Sequence, residues 1–287
     1  MEHHPGPGHL EAPERLRAIQ ERIVRADPGT LREAAPAPFE ALLRVHSAPY
    51  IDMLAARAAQ GGGALEPDTI MSAASFVAAC SAAGAALEAV RFACEAHGNA
   101  FAAIRPPGHH ALAERAMGFC LLANVVIVAR EAQALGRERI LIVDWDVHHG
   151  NGTQELVEQD PSIRFISLHQ WPWYPGTGAA SERGMGNVFN LPLPAGLPPA
   201  RYLAALEDTI AVALRDWPPD LVLLSAGYDS MLGDPLGGFT LEPEHYARIV
   251  ATLRSRCPEV PLVGLLEGGY VPERIAEGVL ATLEALV

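Results

Sequence analysis

Short apolar runs recur along the chain at Phe101 to Ile104, Ile140 to Val143, Ile163 to Ser167, Leu221 to Ser225 and Val263 to Leu266. They have strand length and little polar alternation, the pattern of strands buried on both faces. Helical stretches lie between several of them, at Ala123 to Leu135, Gln154 to Glu158, Pro199 to Trp217 and Pro243 to Cys257, and an alanine-rich helix covers Ser72 to His97. Apolar strands alternating with helices predict an α/β protein, a three-layer α/β/α sandwich around a mainly parallel sheet. No internal repeat is visible, and the Gly61 to Gly63 loop is too short to divide the chain, so residues 1–287 are expected to form a single domain.

Each strand run is followed at once by polar or glycine residues: RPPGHH, DWDVHHGNG, SLHQ, AGYDS and EGGY. In a parallel sheet all strands point the same way, so segments leaving their carboxyl ends gather along one edge, where ligands bind. If the segment after Ile140 to Val143 stays extended, Asp144, Asp146 and His148 share one face while Trp145 and Val147 pack on the other. A carboxylate and an imidazole two residues apart on one face can form half of a metal site, with an oxygen and a nitrogen both acceptable to zinc. A third ligand is available from Asp229, directly after its strand, or from Asp234 further out, and proximity favours Asp229. Three protein ligands with an open fourth position describe a catalytic zinc, whose bound water has its pKa lowered to about 7. His109 and His110, neighbours in an irregular loop, should face differently, one toward that water and the other toward a partner such as Asp144. Tyr270, after two glycines, adds a phenolic donor for a substrate carbonyl.

Composition narrows the classes. The 287 residues are 49% hydrophobic, enough for a sizeable core. All 21 basic residues are arginine, and the absence of lysine excludes Schiff-base chemistry, a pyridoxal attachment site and a P-loop. A net charge of −13 makes a poor nucleic-acid binder, while its field would draw in cationic substrates such as lysine-rich tails or polyamines. No uninterrupted apolar run reaches the ~18 residues of a membrane span, and the first residues lack the basic and apolar regions of a secretion signal. The chain is therefore expected to be cytoplasmic and without a membrane partner. Cys80, Cys94, Cys120 and Cys257 have no CxxC spacing and read as reduced core residues.

RPPGHHA, DWDVHHGNGT, SLHQ with YPGTG, SAGYDS with GDPLGG, and EGGY, in this order, resemble the zinc-dependent histone deacetylase superfamily, which includes acetylpolyamine amidohydrolases and shares its fold with arginases. The resemblance runs from His4 to Leu280, and DWDVHHGNGT is similar to the class II branch and its bacterial relatives. It implies Asp146, His148 and Asp229 as ligands of one Zn2+ per chain, His109 and His110 as the charged pair around the water, and Tyr270 as the carbonyl-polarising group. It also implies Asp144 behind the first histidine and Asn151 behind the second, where other branches carry Asp, so that His110 is the less cationic member and the better base. Gly118, Phe119 and Tyr174 match the lining of a narrow acyl-lysine tunnel, with Gly268 as a further substrate contact and Leu236 at its rim. Asp144, Ser167 and Leu168 resemble positions around a structural K+.

The function implied is deacetylation of lysine side chains in proteins or peptides, with acetylated polyamines or other small acylamines as the alternative substrate; the apolar Leu236 favours acetyl-lysine, since polyamine-specific relatives carry a carboxylate there. A non-catalytic acyl-lysine binding module and an arginase-like two-metal hydrolase are weaker readings, and homo-oligomerisation is left open. Relatives usually have a short strand before the HPGPGH-like segment with which this chain almost begins, so a strand is expected to be missing. The stretch after Trp171 reads as short, which would open the tunnel mouth.

Overall fold

A computed structural model describes residues 3–26, 31–96 and 98–287, so His97, at the end of the expected alanine-rich helix, lies outside the described residues. Helices α1 (Glu14–Ala26), α2 (Phe39–Leu42) and α3 (Ala48–Ala59) precede an antiparallel hairpin of β1 (Gly62–Ala64) and β2 (Ile70–Ser72). There follow α4 (Ser75–Ala96), β3 (Ala100–Ala102), α5 (Asn124–Ala134), β4 (Ile140–Asp144), α6 (Asn151–Val157) and β5 (Ile163–Gln170). The chain continues through β6 (Val188–Leu193), α7 (Pro199–Ala213), β7 (Leu221–Ala226), α8 (Pro243–Arg256), β8 (Leu262–Leu266) and α9 (Pro272–Leu286).

Strands β3 to β8 form one sheet in the order β3-β8-β7-β4-β5-β6, with every pairing parallel. Helices α4 and α5 pack together against β3, β8 and β7, while α1, α7, α8 and α9 pack in series with α7 against β5 and β6. Every residue of β4, β7 and β8 is buried, as their uninterrupted apolar sequences require. The expected sandwich is therefore the observed one. From β4 the chain runs outward through β5 and β6, then returns to the other side of β4 for β7 and β8. That reversal opens a crevice at the carboxyl ends of β4 and β7, the usual ligand position in such sheets.

Some element boundaries differ from the sequence reading. The first strand stops at Ala102 rather than Ile104 as the chain approaches the Pro106–Pro107 pair, where ladder donors are missing. Strand β5 extends through SLHQ because β6 pairs with it as far as Gln170. The sequence hid β6 because Asn190 and Pro192 interrupt its apolar residues; Pro192 is tolerated there on an edge strand. Helix α4 is long and apolar enough to cross a membrane, with a mean hydropathy of 1.4 over its best window, although Ser81, Glu88 and Arg91 interrupt its apolar run. Here Ala79, Ala82, Ala83, Ala86 and Val90 form a buried stripe, and the helix packs on α5 and β3 as a core element. All four cysteines are free.

A buried ion cluster ties the amino-terminal segment to the functional edge of the sheet. Glu11 accepts from Arg105 Nε at 2.5 Å and Nη2 at 2.7 Å, and from Arg15 Nη1 at 3.0 Å; His3 Nε2 lies 3.2 Å away. Burial pushes the Glu11 carboxyl up, but the hydrogen bonds from His3 and Arg105 and the charges of Arg15 and Arg105 outweigh it and hold it far below the ordinary carboxylate range. Glu11→Gln leaves two buried guanidiniums short of a counter-charge and is expected to destabilise the protein at pH 7 by about 3 kcal/mol in chemical denaturation. Because the folded-state pKa is depressed, the native contribution is complete above the unfolded value and fades as pH falls through the acid range. The gap between wild type and variant should therefore narrow below about pH 4.

Candidate active site

The segment after β4 does not remain extended. Strand structure ends at Asp144, and the chain curls because the Asp146 N–H donates to Asp144 Oδ1 at 3.0 Å and the His148 N–H to Asp146 Oδ1 at 3.0 Å. These two local side-chain acceptors, and not strand pleating, turn Asp146 and His148 to a common side, while Trp145 and Val147 are fully buried in the core. Asp229 follows β7 by three residues, and its Oδ1 accepts the Val147 N–H at 2.8 Å, which binds the two strand ends together.

Asp146, His148 and Asp229 thereby offer ligand atoms that all lie within 4.8 Å of one another. His148 Nδ1 is 3.0 Å from Asp146 Oδ1 and 3.2 Å from Asp229 Oδ2. Burial opposes charge on His148, but hydrogen bonding to the two carboxylates draws it up to about 9. Surroundings that attract a proton so strongly attract a divalent cation for the same reason. Burial and the adjacent Asp146 charge also push the Asp229 carboxyl upward. The donor beside buried Asp229 Oδ2, His148 Nδ1 at 3.2 Å, is shared with Asp146 Oδ1 at 3.0 Å, a shortfall that a cation would relieve. Two carboxylates and one imidazole suit zinc and also other borderline divalent ions. The residues thus fit a bound metal.

Asp234, the other acidic residue after β7, does not join this cluster. Its Oδ2 accepts the Tyr270 N–H at 2.7 Å and its Oδ1 the Leu236 N–H at 2.9 Å, so it orders the rim. Gly268 sits against the ligand carboxylates: its N–H donates to Asp146 Oδ2 at 2.8 Å. A Cβ at this position would fall 2.1 Å from Asp229 Oδ2 and 2.5 Å from Asp146 Oδ2.

The tandem histidines diverge as their adjacency requires, with ring centroids 4.0 Å apart. His109 Nδ1 donates to Asp144 Oδ2 at 3.0 Å, and its Nε2 lies 3.7 Å from Asp146 Oδ1. Burial disfavours its charge, but Asp146 and Asp144 prevail and raise its pKa well above the usual histidine range. His110 Nδ1 meets Asn151 Oδ1 at 2.7 Å. That oxygen can only accept, so the Nδ1 proton stays and Nε2 keeps its lone pair. Burial, with His109 and His148 as cationic neighbours, holds His110 well below the usual value. The surroundings therefore favour the cationic form of His109 and the neutral form of His110.

Gly118 has φ +55°, and a Cβ on it would lie 2.3 Å from His110 Cδ2, so only glycine lets the loop pass this ring. The half-buried Phe119 ring meets Tyr270 edge-on at 5.8 Å, and Tyr174 meets His110 at 5.1 Å and His148 at 6.0 Å. Both aromatic rings thus lie beside the histidines and Tyr270. Leu236 is partly exposed, and its carbonyl accepts from the Trp173 indole at 2.8 Å. Trp171 and Trp173 are both exposed nearby along the chain. Ser167 pairs in register with Asp144 on the adjacent strand, and Leu168 follows it, so the expected K+ positions are neighbours. Ser167 Oγ also lies 3.0 Å from His169 Nδ1.

The sequence reading missed several contributors. Arg15 Nε donates to the Gly269 carbonyl at 2.5 Å and Nη2 to that of Glu267, and its guanidinium carbon is 5.1 Å from the Tyr270 ring centroid. No local signal marks it, since it sits in an amphipathic helix more than 250 residues from its partners. Thr69 Oγ1 accepts the Phe119 N–H at 3.1 Å, and His9 Nε2 lies 3.3 Å from the Asp68 carbonyl oxygen. Glu267 stands inside the EGGY motif and had no assigned role.

Comparison with known proteins bears on this geometry. Residues 9–286 match the profile of the histone deacetylase domain. The chain belongs to the histone deacetylase family. It is 44% identical to the uncharacterized protein slr0245 of Synechocystis sp. across 100% of this chain and 96% of that one. It is 37% identical to a "probable deacetylase" of Archaeoglobus fulgidus over 95% of this chain and 79% of that one. The crystal structure of the HDA15 HD domain superposes with a TM-score of 0.93 at 38% identity, covering 97% of this chain and 82% of that one. Membership of the histone deacetylase family supports hydrolysis of acyl amides.

Gly268→Ala is expected to preserve folding, followed by circular dichroism, while lowering the zinc retained after dialysis by at least about tenfold, because the new methyl displaces both ligand carboxylates. Metal analysis of the purified variant checks it.

Proposed function

We propose that this histone deacetylase family member is a zinc-dependent amidohydrolase that removes acetyl groups from lysine side chains of peptides or proteins. The observation carrying the proposal is the meeting of Asp146, His148 and Asp229 beside two imidazoles, one backed by the Asp144 carboxylate and the other by the Asn151 amide oxygen. A divalent ion held by those three residues supplies a Lewis acid for the amide carbonyl and lowers the pKa of water. The chain's own groups do the rest. His110 Nε2, unprotonated and oriented by Asn151, accepts the proton of the attacking water. His109, held cationic by Asp144 and Asp146, supports the site's negative charge as the tetrahedral centre forms, and a protonated histidine delivers a proton to the departing amine. Burial and the Asp229 charge keep the Tyr270 phenol protonated, so it remains a donor to the substrate carbonyl oxygen. Acetate and a free amine leave.

Phe119 and Tyr174 suit the methylene stem of an acyl-lysine. Leu236, with Trp173 hydrogen-bonded to its carbonyl, offers no carboxylate to a distal ammonium, which favours acetyl-lysine over acetylpolyamines. An arginase-like second metal finds no ligand in His149, because its Nδ1 is engaged by Thr177 at 2.9 Å and its Nε2 by Gln154 at 2.9 Å. Metal content per chain discriminates the two.

Purified protein should hydrolyse an acetyl-lysine peptide faster than acetylspermidine or acetylputrescine, and chelation should abolish the activity. Activity indifferent to metal removal would sink the mechanism, and a preference for the polyamines would reverse the substrate assignment. Tyr270→Phe should lower kcat by at least about tenfold with zinc content intact, since the hydroxyl serves the transition state and not the metal. Parallel loss of zinc would make Tyr270 a structural residue.

A further inference from the structure

Glu267 is the last unexplained carboxylate of the site. It follows β8 directly, is 0% exposed, and has no arginine on its carboxylate; Arg15 reaches only its main-chain oxygen. Its Oε2 accepts the N–H of Gly108 at 2.7 Å and of His109 at 3.2 Å, and its Oε1 accepts from Ser225 Oγ at 3.3 Å. Gly108 and His109 lie in an irregular loop with no strand or helix ladder to satisfy these buried donors, so Glu267 is their acceptor. The same residue starts the turn whose next N–H, that of Gly268, binds ligand Asp146 and which ends at Tyr270. Burying a carboxylate is expensive. Here the N–H groups of the paired-histidine loop and the Ser225 hydroxyl offset that cost, which ties the loop to the end of β8.

We propose that Glu267 is a positioning residue for deacetylation: its buried carboxylate holds the backbone of the loop bearing His109 and His110 in register with the Gly268–Tyr270 turn. The inference rests on the amidohydrolase reading given above for the importance of that loop. Two oxygens on one carboxyl group reach donors from the loop and from the end of β7, so the base, the metal ligands and the phenol are referred to one rigid point. Charge is secondary to reach. A glutamine retains one oxygen for Gly108 and His109 and turns its amide toward the Ser225 hydroxyl, whereas aspartate is a methylene too short.

The test is a series of Glu267→Gln, Glu267→Asp and Glu267→Ala in the full chain, with kcat and KM on an acetyl-lysine peptide, zinc content, and amide exchange of Gly108 and His109 by NMR. We expect the Ala variant to lose about a hundredfold in kcat with KM and zinc nearly unchanged. The Gln variant should recover to within about fivefold of wild type, and the Asp variant should resemble Ala. Exchange at Gly108 and His109 should accelerate in the Ala and Asp variants and stay slow in Gln. If Ala does not fold, the Asp and Gln pair carries the same comparison. Wild-type kcat in Ala, an Asp variant better than Gln, or unchanged exchange in Ala and Asp would overturn the proposal. An inactive wild type would refute the amidohydrolase reading instead, and the exchange rates would still report whether Glu267 holds the loop.

Discussion

Asp144, Asp146, Asp229 and Glu267 place four carboxylates, all 0% exposed, at the carboxyl ends of three adjacent strands. Buried charge of one sign is the costliest feature a fold can carry, and the surrounding structure is organised to compensate it. Main-chain donors take part of the load: Asp146 receives the N–H groups of His148 and Gly268, Asp229 that of Val147, Glu267 those of Gly108 and His109. What backbone donors leave over falls on His109, His148 and whatever cation Asp146, His148 and Asp229 attract. A site so rich in negative charge has chemistry built into its electrostatics before any substrate arrives.

The same constraint separates the two histidines. Both are almost completely buried and only 4.0 Å apart, so they cannot both be cationic without strong repulsion. Asp144 settles the contest in favour of His109, while Asn151, a neutral acceptor, orients His110 without drawing charge onto it. A base and a cation are obtained from identical side chains by the identity of the group behind each, and Gly118 leaves the space in which the His110 ring can lie.

Rigidity comes from outside the reacting groups. The Glu11 cluster with Arg15 and Arg105 links α1 to the RPPGHH loop on one side and, through the Gly269 carbonyl, to the Tyr270 turn on the other. Two loops leaving the adjacent strands β3 and β8 are thus cross-braced by side chains that stand outside the cluster of candidate ligands. The rim, where Trp171 and Trp173 are exposed, contrasts with this braced floor. Such a division holds the groups of the site still beneath a more accessible rim.

The apolar runs and the polar residues that follow them were enough to determine the sandwich and to place Asp229, closer to its strand than Asp234, beside Asp146 and His148, because strand burial and strand direction are written in local pattern. Local pattern did not reach β6, masked by Asn190 and Pro192, nor the curl after Asp144, which depends on side-chain acceptors two residues back. It was blind to Arg15 and Glu267 as well. Their partners lie 252 and 159 positions away, and which strands become neighbours is decided by the order β3-β8-β7-β4-β5-β6, a property of the packed sheet that no window of sequence contains.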